Sequence, residues 1–295
     1  MRTLLMTELR KQFFKYVTPA TARAILTNGK LRWSAPHKFN DPFDIQFDMH
    51  VEFDEPKLVR DVVDELWLAY SRKKDFEARN QLGYFVKEMS IETQNIARGD
   101  FERTVRSGVI GSLAAQRSAL PKLHAWARDQ LKTALVLCLS EAPSNILMWA
   151  HYADCHRGAV LRFDTLAASS WAEARPVVYR EKMPLLFDHD EMLNFLTGRT
   201  TIDQDSFRLD SVLTKSLDWR YEREWRVIWY GKKALDYEDT AFNPRELSGI
   251  YLGCRVSQAD ADDLSKFAKK LNPQVEVFKG RKSEKAFTVE FERSR

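Results

Sequence analysis

The rhythm of apolar and polar positions changes twice along this chain of 295 residues. FFKYV (13–17) is a short aromatic and β-branched run and predicts a strand. Thr18-Pro19 then starts a helix through ATARAIL, and Asn28-Gly29 stops it before the strand-like LRWS. From about 57 to 133 the period lengthens. Val62, Leu66 and Tyr70, then Leu82, Phe85, Val86 and Met89, then Phe101, Val105, Val109 and Leu113 recur at spacings of three and four, so these stripes predict core-facing helices. After Lys132 strands return, in TALVLCLS (133–140), GAVLRFD (158–164), WRVIWYG (225–231), GIYLG (249–253) and VEVF (275–278). SQADADDLSKFAKKL (257–271) is a helix with acids first and bases last, the order that the helix dipole favours. The pattern predicts one α+β domain over 1–295, with a mixed, mostly antiparallel sheet interrupted by a helical insertion at 57–133.

Composition adds constraints. A hydrophobic content of 44% and an aromatic content of 12% supply a large core. No stretch approaches the run of about 20 apolar residues that a membrane helix needs. Charges interrupt MRTLLMTELRKQFF where a signal peptide needs an unbroken apolar region, so a cytoplasmic location without membrane partners is expected. Cys138, Cys155 and Cys254 form no C-x-x-C pair and read as reduced thiols. In HYADCH, His151 and Cys155 would share a helix face, but no second ligand pair stands at zinc spacing, so no metal is expected. The net charge of +4 hides an uneven distribution: residues 1–38 hold eight Lys/Arg against one acid, and 39–66 hold nine acids against two bases. A basic segment can attract phosphates, but a solvated surface paired with the neighbouring acids is the preferred reading, since charge blocks are usually surface features.

Four clusters carry the candidate chemistry. Lys15 and Tyr16 lie on the opening strand. HKFNDPFD (37–44) is a proline-bounded turn in which Asn40, Asp41 and Asp44 suit local capping, and which can also present Ser34, His37 and Asn40 to a cleft. SEAPSNILMWAHYADCHRG (140–158) brings together Ser140, Trp149, His151 and Tyr152; Trp149 reads first as core. In LTKSLDWRYEREWRVIWYG (213–231), strand alternation places Glu222, Glu224, Arg226 and Ile228 on one face, with Arg223, Trp225, Val227 and Trp229 on the other. Buried carboxylates require partners, and Glu224–Arg226 and Glu222–Lys215 are the candidate ion pairs. The chain contains neither G-x-G-x-x-G nor G-x-x-x-x-G-K-[ST], and neither H-E-x-x-H nor G-x-S-x-G.

GKLRWSAPHKFNDPFD, LCLSEAPSNILMWAHYADCHRGAVLRFD and KSLDWRYEREWRVI, in that order, resemble the bacterial family catalogued as domain of unknown function 2971. That resemblance implies no chemistry. The strand-helix-strand opening FFKYVTPATARAILTNGKLRWS and the late Glu222-Arg223-Glu224 also resemble ADP-ribosyltransferases of the DNA-modifying toxin type. Where that family carries Arg or His on its first strand this chain has Lys15 or Tyr16, and the Ser-Thr-Ser of one branch is reduced to Ser140.

This second resemblance implies an ADP-ribosyltransferase-like fold and an NAD-consuming transferase, serving as a bacterial toxin or phage-defence effector. It implies Glu224 and Glu222 as the catalytic carboxylates, and a nucleic acid or protein as acceptor. Lys15, Tyr16, Ser34, His37, Asn40, Ser140, Trp149, His151, Tyr152 and Arg226 would surround NAD. Two rivals remain open. One is a nucleic-acid-binding module or nuclease that uses the basic N-terminal segment and stacking aromatics. The other is a non-enzymatic partner-binding protein of a defence operon.

Overall fold

The computed structural model describes residues 10–45, 50–71, 77–92, 95–201, 209 and 211–294. They fall into two compact units, one drawn from 1–46, 130–181 and 213–295, the other from 47–129 and 182–212. In chain order the elements begin β1 (Gln12–Val17), α1 (Pro19–Asn28), β2 (Lys30–Ser34), β3 (His50–Val51), α2 (Glu55–Tyr70), α3 (Gln81–Glu92) and α4 (Arg98–Leu131). Next come β4 (Ala134–Ser140), α5 (Ile146–Tyr152), β5 (Ala159–Asp164), β6 (Arg175–Pro176), β7 (Val178–Arg180), β8 (Leu185–Phe187) and α6 (His189–Leu196). The chain continues through β9 (Thr214–Ser216), β10 (Glu224–Tyr230), β11 (Tyr237–Ala241), β12 (Leu247–Leu252), α7 (Gln258–Leu271), β13 (Glu276–Lys282) and β14 (Val289–Arg293).

The first unit is α+β. Its main sheet runs β11-β2-β4-β1-β5-β12-β13-β14, with β10 added to β4 and β6 to β10. Only β12–β13 is parallel in this sheet, so it is mixed and mostly antiparallel. The opening forms as its punctuation predicts. Thr18 Oγ1 accepts a hydrogen bond from the amide of Thr21 at 3.2 Å, Pro19 stands at the start of α1, and Gly29 closes the helix at φ +62°, a left-handed conformation open to glycine without steric cost. Alternation then sorts the strands. Phe13, Leu31, Leu135, Leu137, Leu161 and Trp225 pack with α1 and α7 in one core layer, and Phe14, Tyr16, Met148, Trp149, Val160 and Tyr251 form another.

β4 organises the site. Along one edge it pairs with the whole of β10, from Glu224↔Ser140 to Tyr230↔Ala134. Its other edge is divided, meeting β1 at Phe14↔Ser140 and β2 at Ser34↔Val136.

The second unit buries the predicted helical stripes. Leu58, Val62 and Leu66 of α2, Val86 of α3, and Phe101, Val105, Val109 and Leu113 of α4 pack together with Phe187, Met192 and Leu196. Of the adjacent pair Phe85 and Val86, the valine enters this core and the phenylalanine is exposed. The unit therefore joins most of the 57–133 stretch to a second segment, 182–212.

Two expectations about local structure require correction. Glu222 and Glu224 do not lie on one strand. Leu217–Glu222 forms a 3₁₀ turn, Arg223 closes it in the left-handed region at φ +45°, and β10 begins at Glu224. Likewise α5 ends at Tyr152, and Asp154, Cys155 and His156 all have positive φ, so His151 and Cys155 do not share a helix face.

Candidate functional site

The register across β10, β4 and β1 aligns Glu224, Ser140 and Phe14 on one face, with Arg226 beside Cys138 in the next row of that face. Above them lies a cavity of about 430 Å³, inside the range typical of small-molecule sites. Lys15, Tyr16, Asn40, Ser140, His151, Tyr152, Glu222 and Glu224 line it, as do Lys38, Phe39, Asp44, Cys138 and Lys215.

Local folding holds each wall. Tyr16 Oη donates to the carbonyl of Ala142 at 2.7 Å and accepts from the amide of Asn145 at 3.2 Å. Asn145 caps α5 and donates through Nδ2 to the carbonyl of Tyr221 at 2.5 Å, which joins α5 to the 3₁₀ turn. Ser140 Oγ donates to the carbonyl of Glu222 at 2.7 Å and anchors the same turn to β4. The turn at Asn40–Asp44 reaches the site at two places: Asn40 Nδ2 lies 3.4 Å from Tyr152 Oη, and Asp44 Oδ2 accepts from Arg226 Nη2 at 2.7 Å. It is at once a turn and a wall.

The floor is a buried charge cluster. Arg226, with no exposed surface, forks onto Glu224, Nε to Oε1 at 2.8 Å and Nη2 to Oε2 at 3.0 Å. Lys215 Nζ donates to Glu222 Oε2 at 2.5 Å and Glu224 Oε2 at 3.0 Å, and lies 3.3 Å from Asp44 Oδ2. Tyr152 Oη donates to Glu222 Oε1 at 2.6 Å. Both candidate ion pairs are therefore present, linked through Lys215. Both Glu224 oxygens bond to cations, whereas Glu222 Oε1 is held by a neutral hydroxyl.

Electrostatics separates the two glutamates further. Burial pushes the Glu224 carboxyl up, but the adjacent Arg226 and Lys215 outweigh it and hold it below the ordinary carboxylate range. For Glu222, burial and the neighbouring Glu224 prevail over Lys215 and raise its pKa. Burial lowers Lys215 too, yet Glu224, Glu222 and Asp44 together raise it. Lys15 goes the other way, lowered chiefly by burial; its Nζ donates to the carbonyl of Cys138 at 3.0 Å.

Four sequence candidates stand outside the cavity lining. Ser34 lies in the ladder between Val136 and Tyr237, and His37 bonds Asp236 at the exposed surface, at 3.0 Å. Trp149 is fully buried, its indole N–H bound to the carbonyl of Pro143 and its ring stacked near His156. Arg226 sits behind Glu224 as its ion-pair partner. In the other direction, Asp44 read only as a turn residue and Lys215 only as a possible ion-pair partner. Their signal was faint: a second acid two residues after the proline of a turn, and a lysine seven residues before Glu222.

Fold and site together define an α+β protein with a mixed, mostly antiparallel sheet and a carboxylate-floored cavity. Residues 148–227 match the family described as Protein of unknown function (DUF2971), a stretch that holds His151, Tyr152, Lys215, Glu222, Glu224 and Arg226. No curated protein and no solved structure matches the chain.

Proposed function

We propose that the cavity binds NAD and transfers its ADP-ribose, with Glu222 as the carboxylate that meets the substrate. The observation that carries this reading is the placement of Glu222 in the cavity wall, oriented on one oxygen by Tyr152 and on the other by Lys215. A carboxylate fixed in this way can accept the ribose 2′-hydroxyl and stabilise positive charge on the sugar as the bond to nicotinamide breaks. Such charge stabilisation by a positioned group is a large catalytic term. Nicotinamide leaves with the bonding electron pair, an acceptor oxygen or nitrogen attacks the anomeric carbon, and the acceptor loses its proton. The acceptor on this reading is a nucleic-acid or protein group, consistent with a toxin or phage-defence effector in the cytoplasm.

Glu224 takes a supporting part. With both oxygens bound by Arg226 and Lys215, it fixes the Lys215 ammonium that in turn orients Glu222. Tyr152, His151 and Phe39 provide rings beside the cavity, against which a nicotinamide ring can pack. Lys15 and Lys38 are the cations available to phosphate oxygens, at opposite exposures: Lys38 is solvent-facing and pairs with Asp236, and Lys15 faces the cavity.

A thermal-shift titration with NAD combined with a nicotinamide-release assay tests the proposal. Stabilisation by NAD together with release that depends on Glu222 is the expected result. A wild-type protein that neither binds NAD nor releases nicotinamide overturns it.

A further inference from the structure

A second cavity, of about 590 Å³, lies on the opposite face of the same sheet. Strand register explains its lining. On β10, Trp229 and Val227 alternate with Arg226 and so point away from the charge cluster; they pair with Leu135 and Leu137 of β4. Across β2 and β11, Trp33 pairs with Glu238, which places indole and carboxylate side by side. Val136 of β4 is paired to β10 on one edge and to β2 on the other, so Trp229 and Trp33 belong to strands flanking β4. At the usual strand spacing those two chains stand about 10 Å apart, with Leu135 on the floor between them. The segment after β5 closes one side and contributes Glu173.

The chemistry of this lining is one-sided. Glu173 and Glu238 are its ionisable groups; no Lys, Arg or His lines it among the described residues, in a protein whose net charge is +4. Trp229 is 47% exposed, an unusual state for so large a ring. The exposed Trp229 and the small uncovered part of the otherwise buried Trp33, together with carboxylates and no competing cation, complement a positive charge that carries apolar substituents. Indole faces attract such cations most strongly among the aromatic side chains. A phosphate or carboxylate ligand would meet the two acids, and a small inorganic cation would keep its water shell and gain nothing from the rings.

We propose that this cleft is a binding site for an organic ammonium cation, with its charge facing Glu238 and Glu173 and its apolar substituents packed between Trp33 and Trp229. The proposal is independent of the NAD reading, because it uses the other face of the sheet and none of the same side chains.

The test is calorimetric titration of the full chain at constant ionic strength with choline and with 3,3-dimethylbutan-1-ol, which replaces the quaternary nitrogen by carbon and so removes only the charge. Choline is expected to bind about tenfold or more tightly than the alcohol, the scale of a partly desolvated cation–π contact assisted by a carboxylate. Trp229→Ala and Glu238→Gln should each weaken choline about fivefold or more. Glu238→Gln guards against a folding defect in the tryptophan variant, since it keeps the side-chain size at a half-buried position. Equal binding of the alcohol, absence of saturation by choline at tens of millimolar, or choline binding unchanged in both variants would each overturn the proposal.

Discussion

The two faces of β10 solve opposite problems with adjacent residues. On one face Glu224 and Arg226 are buried with Asp44, Glu222 and Lys215, and each carboxylate has a cation of the protein within hydrogen-bonding or ion-pair distance. On the other, Trp229 borders a cleft whose acids, Glu173 and Glu238, make no ion pair among the described residues. The first arrangement is compensated from within. It owes its persistence to geometry, because a buried charge without a partner is costly whereas an exposed one is not. The second leaves its charge to water or to a ligand. Burial thus decides which carboxylates become structure and which remain available, and Glu222 lies between the two: buried, yet facing the cavity and held on one oxygen by a neutral hydroxyl.

The strongest way to break this comparison is Arg226→Met. Removing the guanidinium leaves Lys215 as the one cation, among the described residues, paired with the buried carboxylates of Asp44, Glu222 and Glu224, and should cost about 3–5 kcal/mol, the scale of a broken buried ion pair. Urea unfolding measures it, and a loss below about 1 kcal/mol would show that the cluster is solvated and does not support the fold. Next in size is the contrast between the two glutamates. Glu222→Gln should cut nicotinamide release on the order of a hundredfold with NAD affinity changed only a few fold. Glu224→Gln should instead chiefly lower the melting temperature. The opposite ranking in turnover would transfer the substrate-facing role to Glu224.

Acid titration sharpens the same contrast with a smaller effect. The folded-state pKa of Glu224 is depressed, so its stabilisation is complete above the ordinary value of 4.5 and fades as the pH falls below it. Lys215 is raised, so its share is complete below 10.5 and is lost as the pH climbs beyond that. Glu222 is raised and has the opposite sign to Glu224: it withdraws stability as the pH rises from 4.5 through its folded value. Replacing Glu224 by Gln should therefore flatten the melting curve below pH 4.5, and replacing Glu222 by Gln should remove the loss of stability that sets in as the pH rises above it. A wild-type melting temperature unaffected by pH below 4.5 would contradict the Glu224 assignment. The smallest effect belongs to His37→Ala, which removes an exposed contact to Asp236 and should change stability by less than about 1 kcal/mol, with NAD binding unaltered. Lost NAD binding in that variant would return His37 to the site.

Much of this molecule was legible from short-range pattern. Thr18, Pro19 and Gly29 bound α1 because caps act within one turn, and the stripe from Phe101 to Leu113 marks the buried side of α4 because its period matches the helix. Alternation separates Arg226 from Trp225 and Val227 on β10 for the same local reason. The candidate cavity was half legible: polar residues on apolar strands indicated Lys15, Ser140 and Glu224, but alternation extended two residues too far and hid the 3₁₀ turn that carries Glu222. What only tertiary structure decided was partnership. Asp44 meets Arg226 across 182 positions of sequence, Tyr152 meets Glu222 across 70, and the divided edge of β4 brings β1 and β2 to one strand. Periodicity assigns a side chain to a face, whereas the partner it finds there depends on which strands pair and in what register, a choice made by packing of the whole sheet.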